Sequence, residues 1–357
     1  MHDVVIIGGG VIGLLSALRL SEQGCKPLIL DAPVSAPPAS WAGGGILSAL
    51  FPWRYSDALT ALTREARHAY ERLSAQVIDA GGADLQVEPC GMLVISVPDA
   101  AAARAWGERH RIFLGEVAGD SIVPDLSGET AVWMPQVANV RNPLILTGVR
   151  YLLAARGIVP QAAAVEHMRR ISQGWQIQAG GTVLQARQVL IAAGSWSARI
   201  LSLLGVEVPV LPVKGEMLLY PATVPAPPCI ILSSKGYVIP RRDGQMLVGS
   251  TLSEGEWDQR PSEAAYTTLR EAAPNIWPAL AEVVPVAHWA GLRPGSPRDI
   301  PWIGEVPAQQ GLFLATGHYR NGLVSAPATA DLVVALMRGE QPQIDPAPYS
   351  FSSSSPP

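Results

Sequence analysis

The sequence predicts an α/β protein, and three observations carry that expectation. A continuous apolar run, "DVVII", leads into three glycines and then into a stretch with apolar residues at helical spacing. Elements of the buried, parallel type recur at the beginning, middle and end of the chain, while alternating strand patterns fill the stretches between. Alternating strands of that kind belong to antiparallel sheets. The pattern is that of a discontinuous Rossmann-like dinucleotide-binding domain into which a mostly antiparallel β-sheet domain is inserted. The first domain is expected over 1–84, 143–207 and 291–340, the inserted substrate-binding domain over 85–142 and 208–290, and a C-terminal tail over 341–357.

Each element follows in order. "DVVIIGGGVIGLLSALRLSEQG" reads as strand, tight turn and helix, with Val11, Leu14, Leu15 and Leu18 on one helical face. Gly24 ends the helix, "PLIL" is a second buried strand, and Asp31 stands at its end. Residues 32–45 are rich in Pro, Ala and Gly and read as a loop within the domain. A single helix is expected from Ser56, with Leu59, Leu62, Ala66, Tyr70, Leu73 and Val77 on its inner face. Strand patterns cover 85–97 and 129–140, and helical spacing returns over 143–156. "GWQIQAGGTVLQARQVLIAAGSWS" reads as a hairpin feeding a buried strand that ends at Gly194. "VEVPVLPVKGEMLLY" and "GYVIPRRDGQMLVGSTL" follow as strands, with Asp243-Gly244 as a hairpin turn. A helix over 262–272 and a strand over 283–292 lead to the buried strand "GLFLATG" and a helix over 323–337. A Ser/Pro-rich, frayed tail ends the chain, and no internal repeat is visible.

Composition removes several function classes. The 357 residues carry a formal charge of −4, which leaves no basic surface for a nucleic acid. The doublets Arg169-Arg170 and Arg241-Arg242 read as solvated strand or turn charges. Cys25, Cys90 and Cys229 are widely spaced, with no CxxC and no histidine at ligand spacing, so neither a disulfide framework nor a metal site is expected. Cys90 reads as a small buried hydrophobe. No secretory signal is evident, and the longest nearly apolar stretch, 4–18, is too short to span a bilayer. A cytoplasmic, reducing location without a membrane partner is expected.

Gly8, Gly10 and Gly13 form GxGxxG. The first glycine makes the turn, the second lets backbone approach a pyrophosphate, and the third packs helix against strand. The amides of Val11 and Ile12 then stand at the positive end of the helix dipole, and Asp31 can accept ribose hydroxyls. NAD and FAD share this motif. The glycines of "SWAGGGIL" and the strand-to-glycine turns "LIAAG", with Ala193 and Gly194, and "FLATG" favour a flavin.

Two arginines remain. Arg293 stands in "WAGLRPG" and Arg320 in "GHYRNG", just before a helix. Removing the partner of a buried guanidinium costs about 3–5 kcal/mol, so a buried arginine here requires an anion. That anion is either an acid of the protein, such as Asp299 or Glu305, or a substrate carboxylate matched by the planar fork.

With these residues in hand, the chain resembles the glycine oxidase (ThiO) family of D-amino-acid-oxidase-like flavoproteins over nearly its whole length. The likeness rests on "VVIIGGGVIG", "AGGGIL", "LPVKGEM", "GYVIPRRDGQMLVGST", "WAGLRPG" with "PWIG", and "GHYRNGLVSAPAT". The resemblance implies non-covalent FAD. It further implies that Arg293 clamps the substrate carboxylate with Tyr237 as its hydroxyl partner, and that Arg320 lies close to both substrate and flavin. The backbone of His318, Tyr319, Arg320, Asn321, Gly322, Leu323 and Val324 would follow the pyrimidine side of the flavin. Gly44, Gly45 and Ile46 would face its ring, Ala39 and Ser40 the phosphate–ribose region, Asp31 and Ala32 the adenosine ribose, and Val165 the adenine.

Ile46, Lys235 and Leu252 are expected in the substrate pocket. Lys235 departs from the family pattern, in which an uncharged ring can stand there, and Leu252 stands where a methionine can be found. Trp41 and Trp302 add bulk. The implied activity is oxidation of glycine, sarcosine or a small D-amino acid, with dioxygen as acceptor and hydrogen peroxide as product. The glycine imine would serve assembly of the thiamine thiazole, and the enzyme is expected to be a homo-oligomer. One alternative is a D-amino-acid or sarcosine dehydrogenase that reduces a quinone, and another is a flavin-bearing domain of an RNA-modifying enzyme or a non-catalytic subunit of a complex. Lys235 reads as a rim lysine, His318 as a histidine that contributes its backbone, and Lys214 as structural, so none is assigned to catalysis.

Overall fold

The computed structural model describes residues 1–33, 36–123, 126 and 130–351. Residues 34 and 35 of the expected loop, residue 129 of an expected strand and residues 352–357 of the tail lie outside the described residues. Strand β1 (His2–Ile7) is followed by helix α1 (Val11–Glu22) and strand β2 (Leu28–Asp31). Val4 and Ile6 face one core while Val5 and Ile7 face another. Burial on both faces is why β1 reads as an unbroken apolar run.

The expected loop over 32–45 contains a one-turn helix, α2 (Ala39–Ala42). The single helix expected from Ser56 is two, α3 (Asp57–Thr63) and α4 (Ala66–Asp79). All six residues expected on its inner face are buried, so the apolar spacing runs unbroken across the gap. Strand β3 (Met92–Ile95) precedes α5 (Ala100–His110), a helix the sequence reading missed. Its buried face is only Ala103, Trp106 and Gly107, too narrow to register as a periodic stripe. Next come β4 (Gly115–Ala118), β5 (Thr130–Met134) and α6 (Asn142–Ala155).

Strands β6 (Gln161–Ala162), β7 (Val165–Ile171), β8 (Gly174–Ala179) and β9 (Thr182–Ile191) lead to α7 (Ser197–Ser202). They are followed by β10 (Leu211–Tyr220), β11 (Ile230–Ser233), β12 (Gly236–Pro240), β13 (Met246–Gly249) and β14 (Ser253–Glu254). Helix α8 (Glu263–Ile276) is capped by Ser262, whose hydroxyl accepts the Ala265 N–H. The chain ends with β15 (Ala287–Gly295), β16 (Trp302–Glu305), β17 (Leu312–Thr316) and α9 (Gly322–Arg338).

These strands form two sheets. The first runs β16-β17-β9-β1-β2-β6, with β8 and β7 attached beyond β9, and its pairs from β17 to β6 are parallel. Helices α1, α3, α4, α6 and α9 contribute to the core on one of its faces. The second runs β14-β10-β13-β12-β11-β3-β5-β4, with β15 on the other edge of β10. It is antiparallel except where β11 meets β3. The expected boundary at 290/291 falls inside β15, which pairs along its whole length with β10. Among the described residues, no helix is long and apolar enough to cross a membrane.

Candidate active site

The turn after β1 leaves no room for a side chain at Gly8 or Gly13. At Gly8 (φ 116°) an added Cβ would stand 2.4 Å from the Ala192 carbonyl oxygen, and at Gly13 one would stand 2.0 Å from the Gly8 oxygen. Gly13 therefore holds helix against strand, as the motif predicts, and does not itself line the cavity. The Val11 amide donates to Ser40 Oγ (3.0 Å), and Asp31 Oδ1 accepts the Gly9 amide (2.9 Å).

A cavity of about 1090 Å³ opens beside this turn. Gly8, Gly10, Val11, Ile12, Asp31, Ala32, Ala39 and Ser40 line it. So do Gly44, Gly45, Ile46, Val165, Ala193 and Gly194, and from the C-terminal segment His318, Tyr319, Arg320, Gly322, Leu323 and Val324. Asn321 is the exception in that segment: it is buried just before α9, and its carbonyl accepts Ser325 Oγ–H (2.6 Å).

The sequence reading missed one wall. Asn142, Leu146 and Arg150 line the cavity from α6 at four-residue spacing, of which the sequence shows only a helical period over 143–156. Arg150 stands 3.9 Å from Asp31. Asn142 is 1 % exposed, its Nδ2 donates to the Ser40 carbonyl (3.1 Å), and its Oδ1 is buried without a partner. This cradle of bare backbone, helix-end amides and an unsatisfied acceptor fits a dinucleotide.

Arg293 and Tyr237 reach the same cavity from the second sheet. Arg293 Nη2 donates to Ser250 Oγ (2.8 Å) and Nη1 to the Thr251 carbonyl (3.2 Å). The Tyr237 hydroxyl donates to Met217 Sδ (3.6 Å). Burial pushes the Arg293 pKa down, nearby Tyr237 offsets part of this, and Arg320 pushes it further down. The acids that could have paired with the arginines are engaged elsewhere. Asp299 accepts the Ser56 amide (2.7 Å) and Glu305 the Gly311 amide (2.7 Å). Among the described residues, no carboxylate forms an ion pair with Arg293 or Arg320. His318 is buried, with Nε2 3.2 Å from Thr329 Oγ1, and burial pushes its pKa down to about 3, so the ring is neutral.

Other expected positions lie apart. Lys235 is exposed in the turn before β12, where its amide donates to Ser233 Oγ (3.1 Å). Leu252 is 48 % exposed beyond the end of β13, and neither residue lines the cavity. Nearness in sequence to Tyr237 and Ser250 does not bring them inward. Trp41 lines the cavity and packs edge-on against Trp289 (5.6 Å), while Trp302 is buried away from it beneath Arg298. The doublet Arg241-Arg242 is not uniformly solvated. Arg242 pairs outside with Asp84 and Glu88, whereas Arg241 turns inward to Gly44 O (2.8 Å), Val140 O (2.9 Å) and Asn139 Oδ1 (2.8 Å). Among the described residues there is no cluster that could hold a metal ion.

The family model described as "DAO: FAD dependent oxidoreductase" matches residues 3–336. The chain belongs to that family. FAD is therefore the dinucleotide, which resolves the choice that GxGxxG leaves open. A glycine oxidase of Pseudomonas aeruginosa is 43 % identical over 361 residues, covering 97 % of this chain and 98 % of that protein. The crystal structure of glycine oxidase from Geobacillus kaustophilus superposes with a TM-score of 0.93 at 27 % identity, covering 99 % of each chain. That of iminodiacetate oxidase from Chelativorans sp. BNC1 does so with a TM-score of 0.87 at 25 % identity, covering 98 % of each.

Proposed function

We propose that this FAD-dependent oxidoreductase oxidises glycine or a comparably small amino acid at the bond between the α-carbon and the nitrogen, with dioxygen as final acceptor. The observation that carries the reading is the pair Arg293 and Arg320, which line the cavity beside Tyr237 with no carboxylate among the described residues to neutralise them. Such a site selects an anion from outside, and the planar fork of Arg293 suits a carboxylate. Fixing the carboxylate leaves the α-carbon and amine to point towards the cofactor cradle, which converts loose encounter into a near-attack arrangement. The amine must be neutral for its lone pair to assist hydride departure. FAD, when bound, supplies the hydride acceptor and passes the electrons to dioxygen, giving hydrogen peroxide.

His318, held neutral, adds no third cation to the pair. In this reading the first sheet carries the cofactor and the second the substrate, and the molecule works as a homo-oligomer. The relatives named above as oxidases of glycine and iminodiacetate support a small substrate that carries a carboxylate. The test is Arg293→Ala, assayed by peroxide release. Each charge-assisted bond lost is worth about 1.5–3 kcal/mol, so KM for glycine should rise about tenfold or more while the protein stays yellow and folded. An unchanged KM would contradict the proposal.

A further inference from the structure

In the second sheet β15, β10, β13 and β12 lie side by side, and the outer two of these four strands supply Arg293 and Tyr237. The ladder sets Arg293 opposite Val213, Gly291 opposite Gly215, and Gly249 opposite both Met217 and Tyr237. All of these residues share the face towards the cavity, because partners across a ladder and alternate residues along a strand point the same way. Arginine and tyrosine thus lean towards each other over the two inner strands, and the residues beneath them are glycines.

The fit is close. A Cβ at 215 would stand 1.9 Å from Arg293 Nη1 and 2.2 Å from both Cζ and Nη2, so the guanidinium occupies the space a side chain would need. A Cβ at 249 would stand 2.9 Å from both Cε2 and the hydroxyl of Tyr237. Neither glycine has a positive φ, so a left-handed backbone does not demand glycine there. What each position requires is space.

We infer that Gly215, and with it Gly249, is a positioning residue for the carboxylate site. The bare backbone lets the guanidinium and the phenol sink into the sheet and leaves depth above them for the substrate. Ser250 Oγ and the Thr251 carbonyl then fix the rotation of the fork. A methyl at 215 forces the guanidinium to move by more than about 1 Å to regain ordinary contact near 3.5 Å. A displacement of that size costs on the order of a hundredfold in a site of this kind. The clash falls on the far end of a flexible side chain, so the fold absorbs it. The inference rests on the carboxylate reading above.

The experiment measures Gly215→Ala, Arg293→Ala and the double variant as FAD holoproteins, with glycine as substrate. Gly215→Ala should keep its flavin and raise KM about tenfold or more, with a smaller change in kcat. In the Arg293→Ala background the same substitution should change KM by less than about twofold, because the glycine acts through the guanidinium. A purely structural role would instead weaken both backgrounds alike and would overturn the inference. A wild-type KM in Gly215→Ala beside a raised KM in Arg293→Ala also overturns it and leaves the carboxylate reading standing. Unchanged KM in both single variants removes both. Should Gly215→Ala fail to fold, Gly249→Ala decides: a raised KM that disappears in a Tyr237→Ala background supports the inference, and an unchanged KM overturns it.

Discussion

The two faces of the second sheet treat charge in opposite ways, and they meet on a single strand. On one face of β10, Lys214 is 3 % exposed, with Glu256 at 2.7 Å and Glu216 at 3.5 Å. Glu216 in turn accepts the amide and hydroxyl of Ser262 (both 2.9 Å) and stands 2.8 Å from His288 Nε2. Burial pulls the Lys214 pKa down, but the two glutamates more than offset it and leave it above its ordinary value. On the other face Arg293, with Arg320 of the turn before α9 acting on it, meets no acid among the described residues. A buried charge answered from within holds the structure together. One left unanswered among the described residues, at the wall of a large cavity, suits the proposed role of binding an anion from outside.

If that contrast is right, the two faces fail differently when broken. The largest stability effect belongs to Lys214→Met, which takes the ammonium away from buried Glu216. A loss of about 3–5 kcal/mol in denaturant unfolding is expected, with KM for glycine within about twofold of wild type. A stable variant with a large rise in KM would merge the two faces into one function. A smaller effect tests whether the cavity wall keeps out charge of its own. With the His318 pKa pushed down to about 3, the unfolded chain binds a proton below about pH 6.5 that the folded chain refuses. Stability is therefore lost as pH falls from about 6.5 towards 3, by about 1.4 kcal/mol per pH unit from this group. His318→Gln should flatten that limb in thermal melts between pH 5 and pH 7, and an unaltered slope would show that the ring takes up its proton in the folded state.

What the sequence made legible follows the range of the interactions. The cofactor turn is built from neighbours: β1, the glycines, α1 and Asp31 all fall within the first 31 residues, so spacing alone conveys their roles. The face that carries Arg293 and Tyr237 is built by ladders that join residues 211–220, 237–249 and 287–295, and no local pattern reveals which side chains converge. There the residues alone marked Arg293 and Arg320 only as arginines in need of an anion, and the likeness to a family pointed to Tyr237 and to a substrate carboxylate. The same lack of local signal misdirected Lys235 and Leu252, which stand next to site residues in sequence but outside the cavity. Arg241 and Arg242 are adjacent and chemically identical, yet one turns to buried carbonyls and the other to surface acids. The α6 wall of Asn142, Leu146 and Arg150 had a visible period, but helical period gives a face and not what that face meets.

The most direct test of the unanswered pair compares glycine with glycinamide, which keeps the amine and removes the carboxylate charge. Each is mixed anaerobically with the FAD holoprotein while bleaching of the flavin is followed by absorbance. At low concentration glycine should bleach the wild type on the order of a hundredfold faster than glycinamide, and Arg293→Ala should erase most of that difference. Equal rates for the two amines in the wild type would contradict the claim that Arg293 and Arg320 wait for a carboxylate.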